Sequence, residues 1–196
     1  MSESNKTVDW DDIQALLRFG FKHLTQASFL LLRIKHREAA RAWLAAARVT
    51  SAVTSKILPR TALQVALTSE GLQVLGVAPE IIREFSHEFI VGMSADANRS
   101  MRLGDVADSA PQHWSWGAPN EAPHVLIMLY ALPGELEAFQ QSITAQLSMG
   151  FDEIKCLSTS ELGSKEPFGF EDGISQPKLD WERERPVCDE EQHAYT

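Results

Sequence analysis

The pattern of apolar and polar positions predicts two strand–helix–strand units along the chain. In the first unit, the continuous apolar run over residues 28–34 is typical of a buried strand. Residues 37–48 are rich in alanine, which favours a helix. Apolar and polar residues then alternate over residues 63–67, and this period of two predicts the second strand.

The same order of elements recurs in the second unit. An apolar run over residues 124–131 predicts a buried strand, and residues 151–158 have the composition of a returning strand. Between them, apolar side chains recur three or four positions apart, which predicts an amphipathic helix: Leu136, Phe139, Ile143 and Leu147. Gly150 stands where a helix commonly ends.

Two such units in a chain of this size predict a ferredoxin-like α+β sandwich. This fold has a mainly antiparallel sheet with its helices on one face. We expect residues 1–10 to form a disordered leader, and residues 11–178 to form the folded unit. Residues 11–21 are interpreted as a strand or an irregular segment, and residues 179–196 as an acidic tail or the start of a further part.

The segment between the two units carries weaker signals. Short helices are predicted near residues 71–75 and after Pro79. Residues 92–123 contain many glycines and prolines together with Trp114 and Trp116, which predicts a long loop. Loops of more than about 12–15 residues are usually functional or disordered.

Composition and charge exclude several classes of function. The 196 residues are 44% hydrophobic and 23% charged, the balance of a soluble globular protein. The formal net charge of −9 argues against nucleic-acid binding and against docking on an anionic membrane surface. Without an apolar segment of transmembrane length or a recognisable signal peptide, we expect a cytoplasmic protein. Cys156 and Cys188 fit neither a disulfide framework nor a zinc site.

The densest chemical signal is a glycine-rich segment over residues 167–177. Gly169 and Gly173 flank the acidic pair Glu171 and Asp172. Glycine allows a backbone to approach a ligand closely, so Asp172 can be aimed at a cofactor. The alternative is a plain turn in which Asp172 hydrogen-bonds its own backbone. The pattern alone leaves both interpretations open.

Within this segment, Gly169-x-x-Asp172-Gly173 resembles the signature of the dye-decolorizing peroxidases, the DyP-type haem peroxidases. Further segments resemble the family in the family's own order: residues 12–20 (its opening strand), 61–68 with Gly71 and Leu72 (its second strand and turn), 92–93, 104–111 and 114–117 (its connecting loop). The resemblance implies that residues 11–178 are the N-terminal half of such a peroxidase. The family's fold is a pair of ferredoxin-like units.

The resemblance implies a haem b cofactor, hydrogen peroxide as oxidant, and dyes or phenolic compounds as small aromatic reductants. It assigns Asp172 as the distal acid–base residue, and it places the cofactor against Gly169, Gly173, Ile174, Ser175 and Gln176. A carboxylate can take a proton from one peroxide oxygen and return it to the other. Because an Asp has a pKa of about 3.9, such activity is expected to persist on the acid side of neutrality.

The family's axial histidine belongs to the second half of the family's chain, so we expect no iron ligand within this sequence. His193 lies in the right direction along the chain, but its acidic surroundings do not match the ligand region. The alternative function is therefore a truncated, non-catalytic ferredoxin-like module for binding or assembly. In either case, an exposed face that normally packs on a second half predicts a homo-oligomer or a missing C-terminal partner.

Overall fold

The computed structural model describes residues 8–118 and 121–159. Its strands are β1 (Gln26–Ile34), β2 (Thr61–Leu67), β3 (Val125–Ala131) and β4 (Phe151–Ser158). Its α-helices are α1 (Arg37–Ala46), α2 (Ser69–Val74), α3 (Pro79–Ile82), α4 (His87–Val91), α5 (Ala97–Leu103) and α6 (Leu136–Leu147). Single turns of 3-10 helix occupy Ala15–Leu17, Ala107–Ser109 and Pro111–His113.

The four strands form one antiparallel sheet in the order β2-β3-β1-β4. Strand β3 lies in the middle, where its residue Ile127 is opposite Leu30 of β1 and Val65 of β2. Each of the helices α1 and α6 connects two strands that are not neighbours in the sheet. This arrangement confirms the ferredoxin-like α+β fold predicted from the two strand–helix–strand units.

The core lies between the sheet and the helices α1 and α6. Every second residue of β3 points into it, and Val125, Ile127, Leu129 and Ala131 are all fully buried. Trp43 of α1 packs edge-on against Phe151 of β4, with ring centroids 5.8 Å apart. Gly150 lies against the backbone of Ala40, and a Cβ at Gly150 would be 2.8 Å from the Ala40 nitrogen. The two helices are therefore packed tightly on this face.

The opposite face of the sheet is covered in part by the segment before β1. A small cluster of buried residues holds this segment in place: Ala15, Phe21, Leu24 and Ala62. The Phe21 ring also stacks at a tilt on Tyr130 of β3, with centroids 5.0 Å apart. Gln64 of β2 is completely buried here, and its side chain accepts a hydrogen bond from the Leu16 N–H and donates to the Thr50 carbonyl.

Of the two interpretations of residues 11–21, the irregular segment is confirmed, and the opening strand that the family resemblance implied over residues 12–20 does not form. The described backbone there forms only a 3-10 turn and one isolated bridge, between Gln14 and Ser51. Backbone hydrogen-bonding groups at the edge of β2 are paired with a side chain instead of a strand. The Gln14 amide donates to the Val65 carbonyl and accepts from the Val65 N–H, both at 2.8 Å. A single glutamine thus replaces the neighbouring strand at this point.

The prediction of a continuous loop over residues 92–123 is also wrong, because α5 lies within it. Asp96 caps this helix by accepting from the backbone N–H groups of Asn98 and Arg99. Gly104, with a φ of +84°, ends it in the left-handed conformation. The apolar residues of α5 gave no periodic signal because Met101 and Leu103 point into solvent.

The glycine-rich segment over residues 167–177 lies outside the described residues, as do Cys188 and His193. The predicted domain limits therefore remain predictions. Within the described ranges, none of the helices has the length and apolar character needed to cross a membrane.

Candidate functional site

A cavity of about 820 Å³ opens at the edge of the sheet where β2 ends and β3 begins. Helix α4 and the turn after it form one side, and the tryptophan-containing loop forms another. The described residues that line it are Leu67, Thr68, Ser69, Glu70, Glu88, Phe89, Ile90, Val91, Gly92, Met93, Ser94, Ala95, Trp114, Ser115, Trp116, Gly117, Ala122 and Pro123. Cavities of this volume hold drug-sized organic molecules.

The floor of the cavity is fixed by Thr68, the residue that caps α2. Its hydroxyl accepts a hydrogen bond from the Gly71 N–H at 3.1 Å and donates to the Pro123 carbonyl at 2.8 Å. Its own N–H donates to the His124 carbonyl at 3.1 Å. Gly71 lies directly against that carbonyl, and a Cβ there would be only 2.1 Å from the oxygen. Only glycine allows α2 to approach the start of β3 so closely.

One side wall of the cavity consists of α4 and the turn that follows it. Ser86 caps α4 by accepting from the Phe89 N–H at 3.3 Å. Gly92 then takes a positive φ of +68°, which reverses the chain. Arg99 of α5 donates to the Gly92 carbonyl at 2.6 Å and so fixes this turn. The hydrogen bond from the Arg99 N–H, opposed by partial desolvation, lowers the pKa of Asp96.

Trp114 and Trp116 supply an aromatic wall. The Trp114 indole N–H donates to the Ser109 carbonyl at 2.9 Å, so this ring is held from behind. Trp116 is 37% exposed. Gly117 adopts a φ of +83° directly after it, which turns the chain back toward β3. Two large rings on a short, hydrogen-bonded loop give the cavity a flat, apolar surface.

The charged groups of the cavity are all acidic. Glu70 is half-buried and Glu88 is exposed, and neither forms an ion pair with a residue in the described ranges. The described lining contains no lysine, arginine or histidine. Ser69 is 4% exposed, and its hydroxyl has no hydrogen-bond partner in the part of the chain that the structure describes. The cavity is thus an apolar space with negative charge on its wall.

His124 directly follows Pro123 of the cavity lining, and its surroundings favour the neutral imidazole. Its Nδ1 accepts a hydrogen bond from the Ile34 N–H at 3.0 Å, so a proton on Nδ1 would break that bond. Burial lowers the pKa of His124, and the nearby Glu70 carboxylate opposes this effect in part. The side chain therefore acts as a hydrogen-bond acceptor for the end of β1.

The cavity does not fit a haem. A haem carries two carboxylates that are normally met by cationic or donor groups, yet the charged side chains here are Glu70 and Glu88. None of the histidines in residues 8–118 and 121–159 lines it. Nor do those ranges contain a cluster of three potential metal ligands. The described lining therefore offers neither an imidazole for a haem iron nor a cation for the haem carboxylates.

The sequence-predicted site residues stay untested by the geometry. Asp172 and the predicted cofactor contacts Gly169, Gly173, Ile174, Ser175 and Gln176 all lie outside the described residues. Trp114 and Trp116, which sequence analysis singled out, do line the cavity, whereas Glu70 and Glu88 were missed. The available signal was that each glutamate stands in the first turn of a short helix.

No family model matches the chain, and no curated protein matches it. Solved structures do match. A decolorizing peroxidase from Auricularia auricula-judae superimposes with a TM-score of 0.68 and 26% sequence identity, over 88% of this chain and 39% of that chain.

Two further peroxidase structures also match the chain. A dye-decolorizing peroxidase in complex with 2,6-dimethoxyphenol matches with a TM-score of 0.63 and 24% identity, over 87% of this chain and 39% of that one. A variant of such a peroxidase in complex with cyanide matches with a TM-score of 0.66 and 23% identity, over 89% and 40%.

These likenesses show that the chain has the fold of part of a DyP-type peroxidase, as the sequence resemblance implied. The class defined by the fold is the ferredoxin-like α+β unit, and the proteins it resembles are dye-decolorizing peroxidases. The chain spans about two fifths of the length of the solved structures it matches.

Proposed function

We propose that this chain is the distal part of a haem-dependent peroxidase that uses hydrogen peroxide to oxidise dyes or phenolic compounds. The observation that carries the proposal is the structural likeness to dye-decolorizing peroxidases over 87–89% of the chain. The likeness coincides with the Gly169-x-x-Asp172-Gly173 signature that follows β4 in the sequence. The fold and the sequence signature both support the same family.

Asp172 is the proposed catalytic residue. Its carboxylate accepts a proton from one oxygen of hydrogen peroxide and returns it to the oxygen that leaves as water. The flanking glycines Gly169 and Gly173 would permit the close approach that this transfer needs, and the family resemblance assigns Ile174, Ser175 and Gln176 as residues that would hold the haem. The haem, when bound, supplies the redox chemistry, while the protein supplies position and proton transfer.

Phenolic compounds are the proposed reductants. One of the matching peroxidases was solved in complex with 2,6-dimethoxyphenol, a compound of this class.

The face of the sheet away from α1 and α6 is the proposed surface on which a further part of the enzyme packs. Phe29, Leu126 and Met128 are only half-buried there, and Leu157 is 37% exposed. An apolar face of this kind is suited to packing on a second half or a second copy.

Haem binding tests the proposal. The purified protein is titrated with hemin in the presence of imidazole, which supplies a nitrogen ligand in place of the axial histidine that the family carries in its second half. We expect an induced circular dichroism signal in the Soret region that saturates at one haem per chain. A chain that retains its far-ultraviolet spectrum but induces no Soret signal contradicts the proposal. The cavity itself serves as an internal control, because Glu70→Gln is expected to leave haem binding unchanged.

A second candidate function is a non-catalytic ferredoxin-like module for binding or assembly. The observation that favours it is the partly exposed apolar face of the sheet at Leu126, Met128 and Leu157, which suits packing on a partner or a second copy. The same titration separates the two candidates, since this module is expected to be folded, colourless and self-associated. Sedimentation velocity on the haem-free chain measures that association directly.

A further inference from the structure

We propose that the cavity between α2, α4 and the Trp114–Trp116 loop binds a flat aromatic cation. The proposal goes beyond the peroxidase function and does not depend on it, because the cavity residues are distinct from the segment over residues 167–177. The juxtaposition that carries it is two carboxylates, neither ion-paired with any residue of 8–118 or 121–159, on the wall of an otherwise apolar, aromatic cavity.

The charge of the lining selects for a cation. Glu70 and Glu88 contribute two negative charges, and no cationic residue of the described lining compensates them. The half-buried Glu70 is partly removed from water, which strengthens its attraction for a cation compared with a fully exposed carboxylate. The net charge of −9 for the whole chain adds a long-range attraction of the same sign. An anion would be repelled both by the two carboxylates of the cavity and by the net charge of the chain.

The shape of the lining selects for a flat, apolar body. Phe89, Trp114 and Trp116 contribute aromatic side chains to the lining, and Leu67 and Met93 contribute aliphatic ones. Tryptophan is the side chain that attracts cations most strongly through its ring face. Since Trp114 is already held by its hydrogen bond to Ser109, its ring needs little further ordering when a ligand binds. The volume of about 820 Å³ accommodates a ligand of two or three fused rings.

A pair of probes with matched rings and opposite charges tests the proposal by isothermal titration calorimetry. The probes are 1-methylquinolinium, a bicyclic cation, and 1-naphthoate, a bicyclic anion of similar size. We expect 1-methylquinolinium to bind at one site per chain and at least tenfold more tightly than 1-naphthoate. Because the attraction is electrostatic, its affinity is also expected to fall as salt is raised.

Three variants locate the binding site. Glu70→Gln keeps the shape of the side chain and removes its charge, and we expect it to weaken 1-methylquinolinium about fivefold. Trp116→Leu removes a ring, and we expect a loss of about tenfold. Glu80→Gln, in α3 and outside the lining, changes the net charge by the same amount as Glu70→Gln and is expected to leave the affinity unchanged.

The outcomes are distinct. Equal affinity for the two probes, or no binding of either, overturns the proposal. So does cation binding that Glu70→Gln and Glu80→Gln weaken equally, because this result would show attraction to the net charge and no defined site. Far-ultraviolet circular dichroism confirms that each variant is folded. If Trp116→Leu fails to fold, competition between the two probes on the unsubstituted chain still decides the charge preference.

Discussion

The two faces of the sheet differ in how completely they are covered. On the face toward α1 and α6, Val125, Ile127 and Leu129 of β3 are fully buried. On the other face, the intervening residues Leu126 and Met128 are only half-buried. Alternate residues of β3 thus belong to a fully buried core on one face of the sheet and to a partly exposed apolar surface on the other.

The difference shows which part of the fold is self-sufficient. The covered face obtains its stability from apolar burial between the sheet and the two helices. The other face depends on the short segment before β1, which is held by a few apolar contacts and by the buried amide of Gln64. Substitutions on the two faces should therefore lower the free energy of unfolding by different amounts and through different interactions.

The largest difference is expected between two neighbours on β3. Ile127→Ala removes a fully buried side chain from the core, and we expect it to lower the free energy of unfolding by about 3–4 kcal/mol. Met128→Ala, on the half-buried face, is expected to cost about 1 kcal/mol. Urea denaturation of both variants measures the two effects. Equal losses would show that the faces contribute alike.

Gly71→Ala is expected to lower the free energy of unfolding by about 3 kcal/mol. The new Cβ would overlap the His124 carbonyl, so α2 must move away from the start of β3. Gly20→Ala is the control, since nothing lies within 4 Å of a Cβ at that position. Thermal unfolding compares the two variants. A Gly71→Ala protein as stable as the Gly20→Ala protein would contradict the close approach seen here.

Gln64→Leu tests the polar contacts that hold the second face. The substitution leaves the Leu16 N–H and the Thr50 carbonyl without their side-chain partner, and we expect a loss of about 2 kcal/mol. Gln64→Glu retains an acceptor for Leu16 and serves as the comparison. Hydrogen exchange at Leu16 should accelerate in Gln64→Leu. Unchanged protection at this amide would mean that the hydrogen bond does not hold the segment.

The smallest expected effect is a dependence of stability on pH at His124. Burial lowers the pKa of this residue below its ordinary value of 6.5 in the folded state. As pH falls through 6.5, the unfolded chain takes up a proton that the folded chain does not, so the free energy of unfolding decreases. The stabilisation is complete above that pH and is lost as the pH falls through the lowered pKa.

His124→Asn removes the titrating group and keeps an acceptor for the Ile34 N–H. The difference in unfolding free energy between this variant and the unsubstituted chain should change with pH between 7 and 5. A constant difference across that range would show that His124 has the same pKa in both states.

The regular part of the fold was predictable because its burial is periodic. The apolar positions of β3 and α6 face the core at the spacing that each element requires, and Phe151 joins them from β4. The predicted spans for α6 and β4 agree with the structure. The segment before β1 was not predictable in this way. Its contacts depend on Gln14 and Gln64, whose polar side chains give no hydrophobic pattern.

The site was accessible to prediction only in part. The tryptophans of the loop drew attention because large rings in a glycine-rich segment need an explanation, whereas Glu70 and Glu88 look like ordinary acidic residues in the first turns of helices. The cavity that they line depends on the long-range contact between Thr68 and the Pro123–His124 backbone, which joins α2 to the start of β3. No local pattern encodes such a contact.

The most direct test of the peroxidase proposal is the reaction of the haem-loaded protein with hydrogen peroxide, followed by stopped-flow absorbance. We expect Asp172→Asn to slow the spectral change by at least a hundredfold, because general acid–base groups contribute about 10²–10⁴-fold. Glu171→Gln, the neighbouring carboxylate, is expected to have little effect. Equal rates for Asp172→Asn and the unsubstituted protein would contradict the assignment of Asp172 and, with it, the proposed function.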